Sequence, residues 1–179
     1  QGEVLLEATK AAGVDVSRVQ NTAPSTGTYI AILNPDGELV TAMNDMRAAD
    51  EISPDLIETH SAAIKAATFV VADCNLPLAT LQAIAEIARD KLFIEPVSVP
   101  KSAKLKELLK SGPIFMASPN LDQIEGLTNT RDIFEGCTAL HKLGLQHVVA
   151  HAGQEGAFVS NGEDIEHVPI QPAGPIIDV

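Results

Sequence analysis

Asn120 and Gln123 stand three positions apart, just after the apolar run Ile114-Phe115-Met116-Ala117. Two chemistries suit that pair. An Asn at a helix start accepts a backbone N–H through its side-chain oxygen, and a Gln at the third helical position returns the bond, so Asn-x-x-Gln is a variant of the capping box. The same Asn closes a strand, and ligands of open α/β sheets bind beyond the carboxyl ends of strands, where a phosphate can be held. Local reasoning leaves both open. Gly153 and Gly156, also three apart, form either a plain turn or a backbone bare enough for a nucleotide to approach closely. Asp73 and Asn75 cap the end of another apolar run or reach into the same edge, and Glu95, held extended by the following Pro96, can face that edge too.

Other pairings fail on geometry. His147 and His151 are four apart, a metal-binding spacing on a helix, but the intervening Val148-Val149-Ala150 is strand-like. Four residues of strand separate the imidazoles by about 13 Å, too far for one ion. His60, His141 and His167 are scattered, with solvated or capping roles as their default. The four lysines between Lys101 and Lys110 read as the solvated face of a helix. No phosphate-binding Gly-x-x-x-x-Gly-Lys-Ser/Thr loop, Ser-His-Asp order or nucleophile elbow is evident.

These residues need a frame, and the hydrophobic pattern supplies one. From residue 53 strands and helices alternate. Ser53-Pro54-Asp55 starts a helix. Strands are expected at 68–74, 92–97, 113–117, 146–153, 156–160 and 163–170, and helices at 77–90, 102–112, after Asn120, and at 131–144. Continuous Val/Ile/Ala runs between helices predict a three-layer, Rossmann-like, mostly parallel sheet covered on both faces. Its strand ends then line up Asp73-Cys74-Asn75, Glu95-Pro96, Ser118-Pro119-Asn120, His151-Ala152-Gly153 and Asp178 along one edge. The amino-terminal part differs. Residues 2–12 read as a helix ended by Gly13. The stretch 18–46 holds two extended arms around Asn34-Pro35-Asp36-Gly37, a β-hairpin with apolar residues on both faces: Ile30 and Ile32 on one, Tyr29, Ala31 and Leu33 on the other.

The totals bound the function. The chain has 179 residues, 45% of them hydrophobic, with no Trp, one Tyr and five Phe, so its core is aliphatic. Twelve Lys and Arg against 24 Asp and Glu give a net charge of −12, which repels nucleic acids and anionic membranes. Cys74 and Cys137 lie in apolar settings and read as buried reduced thiols, which suits the cytoplasm. No signal peptide and no apolar run long enough to span a bilayer is visible.

Taken together, "LLEATKAAGVDVSRV", "TGTYIAILNPDGELVTAMNDM", "VVADCNLPLATL", "IEPVSVPKSAKL", "PNLDQIEGLTN", "HVVAHAGQEGAFVS" and "IIDV" resemble the ribokinase-like (PfkB) carbohydrate and nucleoside kinases. The patterns "NDM" and "DCN" are most similar to the pseudouridine kinase branch. The resemblance implies one ribokinase-like α/β domain over 1–179 with the hairpin at about 18–46 as a lid. It implies ATP and Mg²⁺ as reaction partners, K⁺ as a monovalent activator, and a small ribosyl or nucleoside substrate; the hairpin's two apolar faces, for their part, suggest a homodimer through the lids. It places the ATP phosphates near Asn120, Gln123, His151, Gly153 and Gly156, the substrate near Thr28, Asn44 and Asn75, and a monovalent cation near Asp178. Two positions depart from the family pattern. Gln123 stands where the family has Glu, and a neutral amide does not supply the charge that favours Mg²⁺. His151 stands where a small hydroxyl residue is usual. The resemblance also implies that the catalytic base, the Asp of a Thr-Gly-Ala-Gly-Asp segment, follows Val179, and that a Gly-Gly-x-x-x-Asn sugar site precedes Gln1. On this reading the domain is incomplete.

Overall fold

In the computed structural model, residues 1–22, 25–35 and 39–171 are described. The chain divides into two compact units, one built on Gln1–Glu51 and a second that begins at Ile52.

The first unit holds helix α1 (Gly2–Ala11), strands β1 (Thr28–Leu33) and β2 (Leu39–Asp45), and a single helical turn, α2 (Arg47–Asp50). β1 and β2 pair antiparallel, with Thr28 opposite Asp45 and Tyr29 opposite Asn44, and the register slips between Ile32 and Leu33. This is the expected hairpin; its turn at 34–37 falls partly outside the described residues. Tyr29, Ile30, Ile32, Leu33, Val40 and Met43 are all exposed, so the apolar residues of both faces point outward. At the hairpin's end Arg47 binds Asp45 through Nη2–Oδ2 at 2.6 Å. The Arg47 bonds hold the Asp45 carboxyl down to about 2.

The second unit carries the sheet. Helices α3 (Pro54–Thr59) and α4 (Ser61–Ala66) lead into β3 (Val70–Asp73), α5 (Leu78–Ala88), β4 (Leu92–Glu95), α6 (Val99–Leu109), β5 (Ile114–Ala117), α7 (Leu121–Thr128), α8 (Ile133–Leu143), β6 (Leu145–His151), β7 (Ala157–Ser160) and β8 (Ile165–Val168). Ser53 caps α3 as expected, its hydroxyl accepting from the Leu56 N–H at 3.3 Å. The strand order is β3-β4-β5-β6-β7-β8, parallel through β6 and antiparallel thereafter. The α/β class and the mostly parallel sheet are as the sequence leads one to expect. The last two strands turn back because β6, β7 and β8 are joined by short glycine-containing connections that leave no room for a crossover helix.

Strands β3 to β6 are neighbours in sequence order. Right-handed crossovers between them place every intervening helix on the same side of the sheet, and α5, α6, α7 and α8 do pack against one another in that order. The row Ala72, Ile94, Ala117 and Val148 is buried, as are Leu81, Ile84, Ala85 and Ala88 of α5, Leu105, Leu108 and Leu109 of α6, and Cys137 and Leu140 of α8. A fully buried leucine contributes about 2 kcal/mol, so this aliphatic layer holds the unit together without large aromatics. Within the second unit, α5 to α8 cover that face of the sheet. Phe69 and Val71 are 61% and 70% exposed.

Candidate functional site

The parallel strands deliver their ends to one edge. Asp73 lies opposite Glu95. The Cys74 N–H donates to the Glu95 carbonyl at 2.9 Å, the Ser118 N–H to the Ile94 carbonyl at 3.2 Å, and the His151 N–H to the Pro119 carbonyl at 2.9 Å. A parallel bridge joins Asn120 to His151. Backbone bonding therefore ties the ends of β3, β4, β5 and β6 into a continuous rim, and Asn120 and His151, 31 positions apart in sequence, become neighbours on it.

Asn120 caps α7 through a complete capping box. Its Oδ1 accepts from the Gln123 N–H at 2.9 Å, and Gln123 Oε1 accepts from the Asn120 N–H at 2.9 Å. Gln123 is only 3% exposed, while Asn120 faces solvent. Burying the amide is tolerable because both ends of the reciprocal pair are satisfied. Both side-chain oxygens are thus already engaged, and neither carries a charge. No group of three or more His, Cys, Asp or Glu suited to a metal occurs among the described residues. The Asn120–Gln123 pair does not fit direct magnesium ligation. Glu125 is exposed and bound to Arg131 at 2.8 Å, directed away from this pair.

The two glycines after β6 differ in what makes them glycine. Gly153 has φ of 57°, and a Cβ built there meets nothing within 4 Å. Gly156 has φ of 92°, and a Cβ there falls 2.2 Å from the Val168 carbonyl oxygen and 2.9 Å from the Ile170 nitrogen. Gly156 is bare because the strand end of β8 lies against it; Gly153 is bare toward open space. Between them Gly153–Glu155 forms one 3-10 turn. It is closed by Ala152 N–H to the Gly156 carbonyl at 2.9 Å, Glu155 N–H to the Ala152 carbonyl at 3.1 Å and Gly156 N–H to the Gly153 carbonyl at 3.1 Å. A concavity of about 450 Å³ lies here, lined by His151, Gly153, Gly156, Ala157 and residues 168–171. That volume is within the usual range for a small-molecule site.

Farther along the rim, the Asn75 N–H donates to Asp73 Oδ1 at 2.7 Å. The Lys101 ammonium donates to Asn75 Oδ1. The Lys104 ammonium donates to the Cys74 and Leu76 carbonyls at 2.9 and 2.7 Å. These two lysines are therefore spent on the loop after β3, where the sequence pattern suggested only a solvated helix face. Glu95 accepts from the Ser118 hydroxyl at 2.5 Å and from the Val97 N–H at 3.1 Å. Val97 adopts φ of 67°, a left-handed conformation that is strained for a β-branched residue and concentrates at functional edges. Cys74 is fully buried, and desolvation, with Asp73 and Glu95 adding to it against Lys104, pushes its thiol up to about 11.

His147 and His151 both lie on β6, which removes the metal pair as the spacing argument required. The His147 ring packs edge-on against Phe115 at 4.9 Å. His141 bridges the Leu145 carbonyl at 2.7 Å and the Ser160 hydroxyl at 2.8 Å. Thr28 and Asn44 belong to the hairpin of the first unit, where Thr28 is half-buried and Asn44 exposed. Asp178 lies outside the described residues. The contacts of His167, Lys101 and Ser118 were not legible in advance, because each joins segments more than ten residues apart with no local motif to mark it.

Residues 1–179 match the pfkB family carbohydrate kinases. The chain is 32% identical over 184 residues to the uncharacterized sugar kinase YeiI of Escherichia coli (strain K12), covering 99% of this chain and 50% of that protein. It is 29% identical over 179 residues to the pseudouridine kinase of the same organism, covering 95% and 56%. A solved carbohydrate kinase from Agrobacterium tumefaciens is 33% identical and superposes with a TM-score of 0.75, covering 92% of this chain and 53% of that one. The chain thus spans about half the length of the curated relatives it matches. It belongs to the pfkB family of carbohydrate kinases.

Proposed function

We propose that the protein to which this chain belongs is an ATP-dependent kinase that phosphorylates the 5′-hydroxyl of pseudouridine or a related ribosyl compound. The observation that supports it most is the meeting of Asn120 with the His151–Gly156 segment on one rim, beside a concavity bounded by the open side of Gly153. In this reading the turn receives the nucleotide, Asn120 orients the phosphates, and Asn75, held by Lys101, faces the substrate. Such catalysis consists of positioning and charge neutralisation around the transferred phosphoryl group. Asn44 and Thr28 on the hairpin contribute substrate contacts, Asp178 a monovalent cation contact with K⁺, and the exposed hairpin faces a homodimer contact. Mg²⁺ accompanies the nucleotide phosphates in this reading and finds no ligand set among the described residues. In this reading the protein works in the cytoplasm, which suits the buried free thiols of Cys74 and Cys137. No helix among the described residues is long and apolar enough to cross a membrane.

The test is a panel of pseudouridine, uridine, ribose and adenosine offered to the intact protein with Mg-ATP. Transfer to the 5′-hydroxyl of pseudouridine is the expected result. Preference for ribose or adenosine moves the protein to another kinase of the family, and no transfer to any of them defeats the kinase reading. A second reading, a nucleotide-binding relative without turnover, draws on His151 and on Gln123, whose uncharged side-chain oxygen is engaged by its cap. Calorimetry that finds Mg-ATP bound, together with a silent panel, selects it.

A further inference from the structure

We infer that His167 is a positioning residue that braces the Gly153–Glu155 turn, and through it sets the affinity for a nucleoside triphosphate; this rests on the nucleotide reading given above. Three backbone bonds close that turn upon itself, and the pairing of His151 with Ala157 anchors its two ends to β6 and β7. A further bond, to the body of the turn, comes from β8. His167 Nε2 lies 2.6 Å from the Glu155 carbonyl oxygen, so this nitrogen carries the proton and donates. The ring is supported on one face. It stacks on Phe158 of β7 with centroids 4.5 Å apart and planes inclined by 18°, and Phe158 in turn meets Phe134 of α8 edge-on at 6.0 Å. β8 pairs with β7 so that His167 lies opposite Phe158 and Val168 opposite Ala157.

One strand thus serves the turn on two sides. The backbone of Val168 to Ile170 closes against Gly156 and forms a wall of the concavity. The side chain one residue earlier reaches to Glu155. The turn is pinned at its far end while Gly153, with nothing near it, stays bare toward the concavity. A ligand that approaches the Gly153 backbone meets a surface whose position is set before binding, which spares the ordering cost that a loose turn incurs on association. His167 itself is exposed and lies outside the lining of the concavity, so it acts on affinity through the turn and not by touching the ligand.

The test compares His167→Ala, His167→Phe and His167→Gln in the intact protein. Hydrogen exchange without ligand reads the brace directly: Ala and Phe are expected to speed exchange at residues 153–156, and Gln, which keeps an N–H donor, to restore much of the protection. Calorimetry with Mg-ATP reads the consequence. Loss of one neutral hydrogen bond predicts about fivefold weaker binding for Ala and Phe, about twofold or less for Gln, and kcat at saturation unchanged. Unchanged exchange in His167→Ala overturns the brace, whatever the ligand. Faster exchange with unaltered affinity overturns its link to nucleotide binding, as does Gln behaving like Ala. Wild-type protein that binds no Mg-ATP defeats the nucleotide reading, and the exchange result alone then decides the brace.

Discussion

Replacing Gly156 by Ala gives the sharpest trial of the site's architecture, because Gly153→Ala, three residues away, is its internal control. At Gly156 two penalties add. The φ of 92° is one that L-residues rarely adopt, and the new methyl carbon falls 2.2 Å from the Val168 carbonyl oxygen, where about 3.4 Å is needed. The obstacle is backbone on the neighbouring strand, so no side chain can swing aside. Backbone strain costs roughly 1–3 kcal/mol and overpacking about as much again, for a sum near 4 kcal/mol. A domain of this size loses about 2–4 °C of melting temperature per kcal/mol, so Gly156→Ala should lower Tm by roughly 8–16 °C. At Gly153 only the left-handed backbone is penalised, because nothing lies within 4 Å. That substitution should cost about 1 kcal/mol, or roughly 2–4 °C. Thermal unfolding followed by circular dichroism measures both. A Gly156→Ala protein melting within 3 °C of wild type, or below it by less than Gly153→Ala, refutes the close approach of β8 to the turn.

Two further predictions follow from the rim and the core. Asn120→Ala should destabilise by about 1 kcal/mol through loss of the cap, whereas Gln123→Glu should keep the reciprocal bond and lose less than Asn120→Ala; denaturant titration of both variants checks this. Burial pushes the thiols of Cys74 and Cys137 up to about 11 from an ordinary value near 9. Neutral thiols are thus favoured in the fold, the stability they contribute is complete below about pH 9, and it is lost as pH rises toward 11; a thiol reagent at pH 8 should label the native protein slowly and the urea-unfolded protein at once.

The sequence disclosed what is encoded locally. The cap at Asn120, the strand character of Val148 to Ala150 and the alternation of strands with helices are all written in neighbouring residues, and the structure repeats them. It disclosed the common edge as well, because parallel strands joined by helices must end on the same side. What stayed hidden depends on pairing between distant segments. Gly153 and Gly156 look alike in sequence, and only the register of β8 against β7 separates a glycine that is crowded from one that is open. The start of α6 at Val99 was also obscured, since Pro100 reads as a break until it is seen to occupy the first turn, where its missing N–H does no harm. The placing of α5 to α8 on one face follows from strand order, which hydrophobic periodicity does not contain.

The outer edge of the sheet bears on how this chain behaves in solution. β3 borders the sheet with a hydrogen-bonded neighbour only on its β4 side among the described residues, and Phe69 and Val71 stand out from it. A strand edge beside exposed apolar side chains is a template for pairing with another molecule. A formal net charge of −12 on each chain opposes such pairing by repulsion. Raising salt from 0.1 M to 1 M shortens the reach of that repulsion from about 10 Å to about 3 Å. Edge-to-edge association of this chain is therefore expected to rise with salt while the buried aliphatic layer stays folded, which light scattering and circular dichroism across that salt range would test.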